Sequence, residues 1–133
     1  MGAKRITIPP DIGELDFIGY SLKDLMLVVL ECMMSRDSTE PRLFRDDVSD
    51  FVTSPNSYKT KFAKKVAWVI ANANEICEAL KSVKIQIDTQ PTRIGPALVT
   101  FVPSIAARLI PEFPCVSLTE FMLGYESVGR WPF

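Results

Sequence analysis

Between Ser57 and Lys84 the apolar residues Phe62, Val66, Val69, Ala73, Ile76, Leu80 and Val83 recur at spacings of 4, 3, 4, 3, 4 and 3. Residues so spaced fall on one side of a helix, so the stretch predicts one long helix with a continuous apolar seam. A seam of this kind must be covered. Its heptad-like spacing suits a coiled coil between chains, but the same pattern serves inside single domains, and a core helix within one domain is the expectation here.

The flanking segments extend the helical reading. Ser21 stands at a helix N-cap position with Asp24 three residues on, and LKDLMLVVLECMM follows with few polar interruptions, predicting a central helix apolar on nearly all sides. RDSTEP breaks it. Leu43, Phe44, Val48, Phe51 and Val52 then mark one face of a second helix, and SPNS at 54–57 is a turn. Alternation of Val83, Ile85 and Ile87 with polar residues predicts a short strand over 83–88. ALVTFV and SIAARLI, separated by Pro103, read as a kinked helix or two short ones. SLTE at 117–120 is a capping box opening a last helix that Gly124 can close.

The expected fold is therefore mainly all-α: a bundle of about five helices over residues 21–124. An extended arm over 1–20, broken by Pro9 and Pro10, precedes it, and a tail over 125–133 carrying Tyr125, Trp131 and Phe133 follows. A chain of 133 residues that is 47% hydrophobic and 23% charged has enough apolar material for one buried core. Its longest apolar run, Leu25–Leu30, is far short of the roughly 20 residues that cross a bilayer, so a membrane role is not expected. Gly2 lacks the Ser or Thr that N-myristoylation requires at the sixth position, where Ile6 stands. Cys32, Cys77 and Cys115 are widely separated and form no CxxC or zinc pattern, which points to a reducing, intracellular and cytoplasmic setting and to structural thiols.

The net charge of −1 conceals a division. Ten acids face four basic residues between Asp11 and Asp50, whereas six lysines face two acids between Ser57 and Lys84. Lys59, Lys61, Lys64 and Lys65 crowd the start of the long helix, where the backbone dipole favours negative charge and where Lys61 and Lys65 repel at i, i+4. An acidic or phosphate partner would convert that penalty into attraction. Asp46, Asp47 and Asp50, just upstream, are the acidic counterpart, within the same molecule or on a second copy.

Chemistry is narrowed by subtraction. The chain has no histidine, which removes Ser/His/Asp and Cys/His machinery and the commonest metal ligand. Neither a GxGxxG nor a GxxxxGK[ST] loop occurs among its glycines. No catalytic residue, cofactor or metal is expected. The resulting expectation is a non-enzymatic, self-associating or protein-binding subunit, viral structural proteins included. It would use the acidic 11–50 and basic 57–84 regions, with the arm and the aromatic tail reaching neighbours. The alternative is a sequence-nonspecific binder of RNA or single-stranded nucleic acid acting through the lysine-rich helix start. An acidic sequence pI near 5.5 favours the first.

Overall fold

The run MLVVLECM is a strand, and that decides the architecture. In the computed structural model, which describes residues 5–34, 40–83, 93–101, 104 and 106–133, Met26–Met33 (β2) lies inside a four-stranded mixed sheet of order β1-β2-β3-β4. Strand β1 (Phe17–Ser21) pairs antiparallel to β2, while β3 (Arg93–Thr100) and β4 (Cys115–Ser117) continue the sheet in parallel. The protein is an α/β fold, which corrects both the all-α class and the bundle of about five helices.

Both overturned helices have the same physical origin. A strand covered on both faces reads as an unbroken apolar run, and so does a buried helix of that length. Met26, Val28 and Ala97 face one side of the sheet, and Leu27, Val29 and Leu98 the other. Ser21 and Asp24 do make the predicted cap-like contact: Asp24 N–H donates to Ser21 Oγ, which itself donates to Asp24 Oδ2 at 2.8 Å. The chain then reverses into β2 through Leu25 at φ 51, so the motif serves a hairpin turn instead of a helix start. In β3, Pro96 sits where β4 does not reach, a place where a strand tolerates a missing N–H donor.

Helices cover the Leu27/Val29 face. They are α1 (Pro41–Val48), which runs on through a π turn at Ser49–Thr53, then α2 (Tyr58–Ala71) and α3 (Ala73–Ser82). The long seam is thus broken once, at Asn72, whose Nδ2 donates to the Trp68 carbonyl at 2.9 Å. Phe62, Val69 and Ile76 from the seam are buried against the sheet, Val66, Ala73 and Leu80 partly so, and Val83 is exposed. Phe62 meets Phe113 edge to face at 4.7 Å. A 3₁₀ turn, Ala106–Leu109, joins this layer.

On the other face lies α4 (Leu118–Val128), opened by the capping box of Ser117 and Glu120. It runs past Gly124 and ends at Gly129, the residue with a left-handed φ of 69. Gly124 instead permits close approach: a Cβ there would stand 3.1 Å from Pro132 of the returning tail. Tyr125 accordingly belongs to α4. At the other end, residues 17–20 of the expected arm are part of the sheet, and Ile6 and Leu15 pack against its core. Of the strand predicted over 83–88, Val83 is a turn residue and 84–88 lie outside the described residues.

Candidate interaction surface

The predicted site residues are dispersed by the fold. Lys59 Nζ pairs with Glu112 at 2.7 Å, and Lys65 Nζ pairs with the buried Glu31 at 2.7 Å, so two of the four lysines are engaged inside the chain. Lys61 and Lys64 are exposed on α2. The penalty at the helix start is also relieved locally, because Ser57 caps it by accepting the Thr60 N–H. Asp47 is buried, Asp46 half-buried and Asp50 exposed, so the three acids do not present one exposed face. The bridge from Glu31 to Lys65 joins the acidic and basic regions within a single molecule.

The aromatic tail folds back instead of reaching out. Trp131 is buried against Phe121 and Phe133. Its position is fixed by Asp24, whose side chain is fully buried: Asp24 accepts the Trp131 N–H at 2.9 Å and the Arg130 guanidinium at 2.8 Å. The Trp131 amide, the Ser21 hydroxyl and Arg130 together hold the Asp24 carboxyl below the usual carboxylate range. Lys23 adds a 2.8 Å bond to the Gly129 carbonyl. The β1–β2 turn therefore clasps the last residues of the chain.

That clasp seats α4 over the sheet without burying any of its residues. Among its residues Phe121 packs against the sheet and Gly124 lies close to the tail. Leu118, Met122, Leu123, Tyr125 and Val128 of α4, with Phe17 of β1, are between 38% and 60% exposed. A cleft of about 350 Å³ separates α4 from β1, floored by Gly19, Val28 and Leu30 and walled by Met122, Tyr125 and Trp131. Elsewhere on α4, Glu126 is exposed and Glu120 pairs with Arg108. Glu120 is held below its ordinary range first by the Ser117 N–H.

Sequence reasoning missed this surface, along with Asp24 and Glu31. Glu31 left a signal: a lone acid inside LVVLECM needs a basic partner if it is buried. Met122 and Leu123 left a weaker one, since FMLGY near the end of a chain gives a helix apolar groups on its outer side. Among the described residues no cluster of metal-ligating side chains is found, and no helix is long and apolar enough to cross a membrane. The thiol of Cys115 is pushed up to about 11 by burial, which makes it a poor nucleophile. Comparison with protein-family models, with curated proteins and with solved structures finds no match to this chain.

Proposed function

We propose that the protein is a non-enzymatic assembly subunit that pairs with a second copy of itself through the α4 face. The observation that carries this reading is a capped, well-seated helix with no buried residue and with its large apolar side chains half exposed. Large apolar side chains left exposed on one helix mark an interaction site. The six side chains named above, with the β1–β2 turn and Phe133, offer apolar area on the order of 800 Å², which is what each partner of a standard interface covers. A twofold axis would bring the same face of each copy together, so a single apolar surface suffices for both partners. A net charge of −1 adds little long-range repulsion. Three free cysteines fit a reducing, cytoplasmic setting.

Sedimentation equilibrium tests the reading. The protein should associate with rising concentration, and M122E/L123E should hold it monomeric with an unchanged circular dichroism spectrum. A wild-type chain that stays monomeric at its highest soluble concentration would refute it. Phosphate binding at the start of α2 retains only Lys61 and Lys64 as exposed cations. It becomes the better reading if RNA binds the wild type and K61E/K64E abolishes that binding while the α4 variant does not.

A further inference from the structure

Among the described residues Glu31 is the buried group whose surroundings are incomplete. The β1–β2 register pairs Phe17 with Leu30, so one step further out Asp16 stands opposite Glu31. Residues directly opposite in an antiparallel pair project from the same face, and like charges there repel. Asp16 is anchored in that position, since its Oδ2 accepts the Cys32 N–H at 2.8 Å. Glu31 is only 5% exposed. Its Oε1 accepts from Lys65 Nζ at 2.7 Å, while its Oε2 is buried with no donor among the described residues. On its other side β3 presents Leu98, which cannot titrate, and along its own strand the nearest titratable group is Cys32. Two carboxyl groups thus stand beside one ammonium, and one buried oxygen has no donor among the described residues.

We propose that Glu31 stays protonated between Asp16 and Lys65, and that the three groups form a pH-operated latch on the segment that leads into β1. The proton resides on Glu31 Oε2 and is donated to the Asp16 carboxylate, while Oε1 keeps the Lys65 ammonium. This arrangement satisfies every polar atom of Glu31 and leaves one negative charge against one positive charge. Burial, the largest influence, pushes the Glu31 carboxyl above the usual glutamate range despite Lys65.

A carboxyl raised on folding stabilises the fold fully below its unfolded value of about 4.5, and that stabilisation is lost as pH rises through the raised folded value. Above it two anions oppose each other. Asp16, the exposed member, is the one free to move away, which releases the Cys32 amide and loosens the chain before β1.

The variant E31Q carries the proposed arrangement permanently, because its amide oxygen accepts from Lys65 and its amide N–H donates to Asp16. The thermal midpoint of the wild type should fall relative to that of E31Q between about pH 5 and about pH 8, with E31Q at least as stable at the upper end. In the unmodified protein the ¹³C carboxyl resonance of Glu31 should titrate above the ordinary value of about 4.5. Exchange of the Cys32 amide should accelerate above the same midpoint. A Glu31 midpoint at or below about 4.5 overturns the proposal whatever the variant does, including if E31Q fails to fold. So does an E31Q chain that is less stable than the wild type throughout that pH range.

Discussion

The two faces of the sheet are built from equally apolar strand residues but covered to different depths. On the Leu27/Val29 face the helices bury Phe62, Val69 and Ile76 to 3% exposure or less. On the Met26/Val28 face α4 buries none of its own residues fully: Trp131 from the tail closes over the strand, with Phe121 of α4 partly buried beside it. The first face is a finished core. The second is a core half, seated by a polar clasp and an aromatic cluster and left open outward. Equal hydrophobicity therefore has two uses in this chain: folding on one side, and on our reading association on the other.

The sharpest way to break that contrast is a pair of truncations. Phe62→Ala removes a fully buried ring from its edge-to-face contact with Phe113 and should cost about 3–5 kcal/mol in chemical denaturation. Met122→Ala on the open face should change the stability of the monomer by no more than about 0.5 kcal/mol. Comparable losses at both positions would mean that α4 is as much a core element as α2.

The clasp gives the next effect. Asp24→Asn weakens the hold on Arg130 and Trp131, so in a Trp68→Phe background the Trp131 emission should shift to the red at neutral pH. The wild type should show the same shift only in acid. Asp24 is lowered on folding, so its stabilisation is present above the ordinary value of 3.8 and is lost as pH falls through the lowered one. Its direction is opposite to that of Glu31. Acid thus frees the tail on one face while it tightens the latch on the other, and a Trp131 signal that ignores pH would remove the clasp from the account.

The smallest effect concerns the lysines. Reversing Lys61 and Lys64 to Glu places negative charge in the first turns of α2 and should stabilise the protein by about 0.3 kcal/mol, read from the urea midpoint. A loss of stability would show that these cations, like Lys59 and Lys65, have work inside the fold.

The start of the last helix was legible in the sequence because a cap is a local device: the SLTE box opens α4 as expected, whereas Ser57, read as part of a turn, caps α2. The sheet was not legible, because Leu25–Leu30 is too short to show a period and because the Ser21–Asp24 contact is the same in a turn as in a helix cap. The lysine cluster was legible as a charge anomaly but not as a site. Its resolution depends on Glu31 and Glu112, brought to Lys65 and Lys59 by tertiary contacts over 34 and 53 positions that no window of sequence displays. The open face was hidden for a related reason: apolar composition marks what must be covered and does not say by which chain.

The central claim is that α4 meets α4 of a second copy, and single-cysteine crosslinking tests it most directly. In a Cys32→Ala background, which removes the exposed native thiol, one cysteine is placed at Leu123 on the open face or at Ile70 on the outer side of α2, positions 56% and 59% exposed. Near a twofold axis a residue meets its own copy. With a short bifunctional thiol reagent, Leu123→Cys should give covalent dimer at concentrations where Ile70→Cys remains monomeric. Equal yields from the two positions, or dimer from Ile70→Cys alone, would contradict the account.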